Sequence, residues 1–520
     1  QPAKGLGHEF AYEVDVDAKG NSVFCGEFQT PSCQFGSTTL QAPLTYNYNF
    51  FIARVSAGGQ FLWAKSGQSV NGSRATGISC DANGNSRVVG EFYGSDSLDF
   101  GSVKIPLNLG ASTNVFIADY DSNGQVKWAR NLGAGRSVGN NVAKVALDQW
   151  GHAYVAADFD DSTYLVKLNA GGQEIWRASY SNSPTFQQMD IGGVATDSAG
   201  NVFVAACSFA SSITLGTQSI TNLSGGKLLV LVKLDSAGNV LWCKFDGGYP
   251  SIYAPDISTD LAGNAVVTGY FGGTIAQFGS VQLNNLSGFE DLFLVKYSPQ
   301  GNVLWAKRAG GVWADLGYSV DCDTSGFIYV GGMFRGTAVF DNVSLSANNA
   351  PEIFVAKYNP SGTAQWAIKA GEMDVDILHG LACSPKGEVW ACGNTFSDTC
   401  RFGSSIKFAN SSPPPYSSES WVARLQETLV NATPTNQFTG YYKVYPNPSR
   451  NGLVVDHAMQ RPQWTVTDIT GKVCLQGQHK YGSPTQFEIN ISELRPGNYY
   501  LHLQDAATFK TAKVSFLKQE

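Results

Sequence analysis

Charge is scarce in this chain. Asp, Glu, Lys and Arg make up 15% of its 520 residues, and no block of Lys or Arg interrupts a net charge of −7. That balance argues against nucleic acid or anionic membrane as the principal partner. No apolar run reaches the length of a membrane span, and no window carries the 3.6-residue rhythm of an amphipathic helix. Six histidines are scattered without a Ser, Asp or Cys pattern around them. P-loop, H-E-x-x-H and C-x-x-C motifs are all missing. The signatures of phosphate-binding enzymes and zinc proteases are thus absent, and neither an enzyme nor a cofactor is expected.

Glycine and aromatics are plentiful: Gly 57, Phe 30, Tyr 22 and Trp 11. This composition predicts an all-β chain of many short strands and tight turns. Three markers recur in fixed order. A D-x-x-G turn begins at Asp17, Asp81, Asp148, Asp197, Asp260 and Asp323, with a degenerate seventh copy at Ser384. An apolar strand carrying one basic residue follows, holding Arg54, Lys167, Lys233, Lys296, Lys357 and Arg424. A second Gly turn then leads to Trp63, Trp128, Trp176, Trp242, Trp305 and Trp366. Asp can hydrogen-bond its own backbone and Gly takes the positive φ of a tight connection, so each repeat reads as a four-stranded antiparallel meander. One such sheet cannot bury both faces, whereas seven packed radially can. The expectation is a seven-bladed β-propeller over residues 1–427.

The phrases "DSAGNVFVAAC", "FGSVQL" and "DLFLVKYSPQGNVLWAKRAGG" resemble the bacterial seven-bladed propeller repeat known as SBBP. Six Trp strands serve seven repeats, and the N-terminal "PAKGLG" aligns with "WAKSGQ". Pro2 to Gly5 are therefore expected to complete the last blade. Six repeats insert a segment after Gly-x-Phe, marked by Phe35, Phe100, Leu215, Phe278, Phe340 and Phe402, and the third lacks it. These inserts should crown one face, leaving a notch at the third blade, with the Gly turns on the other face.

Two stretches share one register: "CGEFQTPSCQFG" and "CGNTFSDTCRFG". Their spacing predicts disulfides Cys25–Cys33 and Cys392–Cys400 at the seam of the ring, the alternative being four buried free thiols. Tyr46, Tyr48, Tyr249, Tyr253, Trp313 and Tyr416 lie in aromatic loops of the crown and are candidates for stacking on sugars, or for packing the loops together. The basic row reads either as a ring of charge for an anion or as ion pairs on the blade surface. Asp158, Asp160 and Asp161, and the group Glu372, Asp374, Asp376 and His379, are weak calcium candidates without EF-hand order. Glu27 and Glu91 occupy equivalent places in the first two repeats, a spacing that would suit a glycosidase only with further support.

Residues 428–440 read as a linker rich in Thr, Asn and Pro, and 441–520 as a small Ig-like antiparallel sandwich. The tail carries "YPNP" (Tyr445, Pro446, Asn447, Pro448), "DITGK" with Gly471, an L-x-x-G-x-Y element (Leu494, Gly497, Tyr499) and a closing Lys510, Lys513 strand. In this order they resemble the type A C-terminal sorting domain of the Bacteroidetes type IX secretion system. The resemblance implies recognition by the translocon and its outer-membrane shuttle, and an extracellular or outer-membrane-surface location. Gln1 in place of Met fits a signal peptide already removed.

Three functions follow from these features. The first is a non-enzymatic binding or adhesion propeller for a surface glycan or protein. The second is a structural subunit of an extracellular filament or layer, self-assembling through a retained tail. The third, disfavoured by the missing catalytic motifs, is a polysaccharide-degrading enzyme.

Overall fold

The Asp turns all close in one way. In the computed structural model Asp17 Oδ1 accepts the backbone N–H groups of Lys19 and Asn21 at 2.8 and 2.9 Å, and the Asn21 side chain donates to Oδ2. Gly20 completes the turn at φ +83°, which L side chains rarely adopt. The same bonds recur at Asp81, Asp197 and Asp260. In the third repeat His152 takes the place of the asparagine, its Nδ1 lying 2.8 Å from Asp148 Oδ2.

The structure describes residues 8–520 except 43–46, 70, 95–96, 109–110, 112, 136–142, 160–161, 181–188, 216–217, 223–224, 248–250, 286–287, 348–349, 373, 386, 398, 403–405, 410–417, 426–441, 446–450, 458–461, 469–472, 479–485, 506–510 and 519–520. The chain divides into two compact units, Gln1–Gln426 and Glu427–Glu520. In the first, each turn joins the first two strands of an antiparallel meander, and the first strands run Glu9–Val16, Ser73–Cys80, Lys144–Leu147, Met189–Thr196, Ser251–Thr259, Asp315–Cys322 and Asp376–Cys383. Each first strand touches the next, and the seventh touches the first, so they surround one axis in a closed, propeller-like ring. Six meanders show four strands, and the seventh shows three among the described residues. The expected closing strand, Pro2 to Gly5, lies outside them.

Neighbouring sheets share apolar cores. Phe203, Leu231, Ile257 and Phe293 form one such core, drawn from the fourth and fifth sheets. Trp side chains pin the outer rim: Trp63, Trp128, Trp176, Trp242 and Trp305 each donate Nε1–H to a carbonyl of the next sheet, at Ser122, Ala170, Ser236, Pro299 and Pro360. Those bonds are 2.9–3.1 Å long. At the seam, where the aligned residue is Pro2, the equivalent carbonyl of Ala57 is taken by Arg424.

The basic row is spent internally. Arg54 pairs with Asp17, Lys233 with Asp197 at 3.1 Å and Lys296 with Asp260 at 2.8 Å, all buried. Lys357 sits over the rings of Phe327 and Tyr329. No outward ring of positive charge forms from these residues.

The inserts fold as two-stranded hairpins in all sheets but the third, and Phe35, Phe278 and Phe340 at their tips are buried. Here the disulfide expectation fails: Cys25, Cys33, Cys392 and Cys400 are all free and buried. The reason is facial. Cys25 packs with Ile52, Trp63 and Ile78 toward the second sheet, whereas Cys33 packs with Phe24, Phe51 and Trp390 toward the seventh. The second pair is split likewise, Cys392 joining the core shared with the first sheet and Cys400 the core that holds Tyr329 and Ile353 of the sixth.

The second unit holds two antiparallel sheets around one core. A three-stranded sheet (Tyr442–Tyr445, Gly452–His457, Gln486–Asn490) and a four-stranded one (Val473–Gln478, Pro462–Asp468, Gly497–Asp505, Thr511–Lys518) enclose Leu453, Val455, Val466, Ile489, Leu501 and Leu503. Leu494 and Tyr499 pack on this core, and the Tyr499 hydroxyl donates to the Arg495 carbonyl at 3.0 Å. Gly497 begins the strand that carries Tyr499, and Lys513 pairs with His502 across the sheet. Tyr445 ends a strand, while Pro446, Asn447, Pro448, Gly471 and Lys510 lie outside the described residues.

Candidate functional site

One irregularity repeats around the axis. Five first strands carry a one-residue bulge at the same height, where Tyr12, Thr76, Gly192, Tyr318 and His379 are left unpaired against the second strand. The fifth sheet has a longer irregularity between Tyr253 and Asp256. A bulge re-aims the side chain it carries. A glycine on the second strand explains why the bulge fits in the first, sixth and seventh sheets: a Cβ on Gly26, Gly332 or Gly393 would stand 1.8–2.0 Å from the carbonyl oxygen of Phe10, Leu316 or Ile377. Only glycine lets the second strand pass so close.

These bulges lie near the insert end of the strands and gather aromatic rings at the mouth of the axis. Ring centroids run from Tyr12 to His379 at 5.8 Å, His379 to Tyr318 at 6.1 Å, Tyr318 to Tyr270 at 6.4 Å and Tyr270 to Tyr253 at 5.3 Å. Phe10 follows Tyr12 along the same strand at 6.1 Å. Every one of these rings is partly exposed. Beside Tyr12 stands a polar group. Its hydroxyl donates to Glu27 at 2.6 Å, Arg74 donates to Glu91 at 3.2 Å, and the Tyr93 hydroxyl donates to the same carboxylate at 3.0 Å. Burial, then the charge of Glu27, raises the Tyr12 phenol, so it keeps its proton. Burial pushes His379 down to about 4, so it is neutral at pH 7, with Nε2 2.6 Å from the Asn394 side-chain oxygen.

Below the mouth the axis becomes a charged throat of about 270 Å³, lined by Glu13, Asp15, Lys144, Asp256, Ser258 and Asp321 among others. Lys144 of the third sheet pairs with Glu13 of the first across the second. The aspartates tie neighbouring sheets together: Asp15 accepts from Cys80 N–H, Asp256 from Val320 N–H and Asp321 from Cys383 N–H, at 2.7–2.9 Å. Burial raises Glu13 and Asp321 to about 7.

Of the six aromatic candidates, Tyr46, Tyr249 and Tyr416 lie outside the described residues. Tyr253 joins the mouth, but Tyr270 stacks on it and Lys227 sits 4.8 Å from its ring centroid. Tyr48, 37% exposed, stands close enough to Glu27 to feel its charge. Trp313 belongs elsewhere, in a cluster with Phe289 and Arg335 at the fifth and sixth sheets. Asp158 is buried and bonded to Thr163, and Asp160 and Asp161 lie outside the described residues. Among the described residues no three His, Cys, Asp or Glu side chains are placed to hold a metal ion. Sequence reasoning missed Tyr12, Arg74, Tyr93, Tyr270 and Tyr318. For Tyr12 and Tyr318 the signal is a glycine in the second strand, Gly26 and Gly332, opposite the bulge.

Residues 443–516 match the model of the secretion system C-terminal sorting domain. Elsewhere the likeness to known proteins is thin. An uncharacterized WD repeat-containing protein of Acanthamoeba polyphaga mimivirus is 23% identical over 195 residues, 32% of this chain and 14% of that protein. The regulatory protein FlaEY of Caulobacter vibrioides is 25% identical over 126 residues, 23% of this chain and 13% of its own. The chain thus spans about a seventh of the length of these curated relatives. PorZ of Porphyromonas gingivalis, a surface component of the type IX secretion system, overlaps 99% of both chains at 10% identity and a TM-score of 0.19, which equates no residue of one with a functional residue of the other. Among the described residues no helix is long and apolar enough to cross a membrane. The sorting-domain match is what places the chain: it supports export through the type IX secretion system, to the cell surface or beyond it.

Proposed function

We propose that this protein is an exported seven-bladed β-propeller of the SBBP type that binds a surface partner at its axial mouth without transforming it. The observation that carries this reading is the set of bulged residues Tyr12, Tyr318 and His379, which the fold turns toward one another from the first, sixth and seventh sheets. Bulges that spend ladder hydrogen bonds to aim aromatics at one point favour a binding role over simple packing. The Tyr12 phenol, which burial and the charge of Glu27 keep protonated, supports binding rather than nucleophilic chemistry. The register match of Pro2 to Gly5 with the Trp strands supports the N-terminal segment as the seventh blade's fourth strand. In the tail, the Ig-like sandwich is read by the translocon and shuttle, with Leu494 and Tyr499 anchoring the recognised surface to its core.

The test is binding of the full chain and of Tyr318→Ala to panels of surface glycans and purified surface proteins. Wild-type binding that the variant loses, with its melting curve unchanged, is the expected result; flat wild-type binding across both panels would sink the reading.

A further inference from the structure

The chemistry of the mouth narrows its ligand. We infer that the mouth binds a neutral saccharide and rejects acidic ones, an inference that rests on the mouth being the binding site. Flat, partly exposed rings at Phe10, Tyr12 and Tyr318 offer apolar surface to the C–H face of a pyranose. Tyr253 is not part of that surface, since Tyr270 and Lys227 crowd its ring.

Directly beside the rings lie fixed donors and acceptors. The Tyr12–Glu27 and Arg74–Glu91–Tyr93 bonds hold two carboxylates, a guanidinium fork and two phenols on rigid strands. Adjacent sugar hydroxyls both donate and accept, so a carboxylate next to a guanidinium satisfies them in pairs. Arg74 keeps 20% of its side chain accessible for this. A purely apolar partner would leave these groups without water or replacement bonds, which costs binding energy.

Charge sets the second half of the inference. Glu27 and Glu91 at the mouth face Arg74, and beneath them Lys144 is already paired with Glu13. Lys227 is already matched by Asp190, and His379 is neutral at pH 7. A uronate or sulfated sugar would bring its charge against this excess of carboxylates, whereas a neutral one would not.

The experiment is calorimetry or array binding with the full chain at pH 7.5. Its probes are neutral gluco-, manno-, galacto- and xylo-oligosaccharides set against oligogalacturonate and hyaluronan fragments. At least one neutral probe should bind, weakened tenfold or more by Tyr318→Ala and by Tyr12→Phe, which keeps the ring and removes the hydroxyl. Tyr318→Phe should keep most of the affinity, and Trp313→Ala should leave it unchanged. An acidic probe binding as tightly as the neutral ones overturns the inference, as does neutral binding that ignores both tyrosine variants. If saccharides fail while a purified surface protein binds and Tyr318→Ala abolishes it, the saccharide class falls and the mouth as a binding site stands. If nothing depends on Tyr318, both fall.

Discussion

The two ends of the ring use the same seven repeats to opposite effect. At the turn end Asp17, Asp197 and Asp260 make one set of bonds to their own turn and to the basic residue of their own sheet. At the insert end the equivalent bulge positions hold Tyr12, Thr76, Gly192, Tyr318 and His379, no two neighbours chemically alike except where they meet at the mouth. Repetition marks what every sheet needs in order to close. Divergence on the same backbone marks what only the assembled ring uses.

Breaking the turn end should cost most. Asp260→Ala leaves Lys296 buried without its partner and removes the turn's own acceptor, so a loss of about 3–5 kcal/mol is expected in denaturant unfolding. Saccharide or protein binding by the surviving folded fraction should be unchanged, which separates the two ends.

Gly332→Ala strikes the link between them. Its Cβ would stand 1.9 Å from the Leu316 carbonyl, so the bulge must shift, costing about 1–3 kcal/mol and displacing Tyr318. Here stability and binding should fall together; a variant that keeps full binding would show that the bulge does not position the ring.

Trp305→Phe removes a single rim bond to Pro360 while keeping an aromatic ring, and about 1 kcal/mol is expected. Neither end should notice, and binding should stay at the wild-type level.

Smallest and broadest is the pH response, whose sign differs between the regions. Burial alone would raise Asp197 and Asp260, but bonds from Asn201 and Lys233, and from Asn264 and Lys296, hold them below the usual range. Their contribution is present above the unfolded value of about 4 and is lost as pH falls through the lower folded value. Glu13 and Asp321 in the throat are raised by burial to about 7, so the folded state holds their protons and stability declines as pH climbs from about 4 toward 7. Melting temperature should therefore decline by a few degrees across that interval, and Asp321→Asn should flatten the decline. A wild-type curve that rises instead would show that the throat is better solvated than its geometry implies.

Much of this was legible in the chain. The Asp turns, the Trp strands, the inserts and the missing third insert all appear where their spacing places them, because turn chemistry is local and each turn carries its own acceptor and its own glycine. The tail was legible as a set of phrases in order. Cysteine was misread because equal spacing in sequence says nothing about which face of a sheet a side chain takes. Cys25 and Cys33 share a register with Cys392 and Cys400, yet each pair is parted between two cores. Aromatic loops drew attention to Trp313, which packs with Phe289 and Arg335 away from the mouth.

By itself the sequence determined an all-β chain of repeated meanders with an export tail, since strand alternation, turn residues and motif order act over a few residues. Only the tertiary structure decided the site. Tyr12, Tyr318 and His379 stand more than 300 residues apart at the extremes, and nothing local pairs them. They meet because the ring closes and because a bulge, permitted by a glycine on the neighbouring strand, turns each toward the axis.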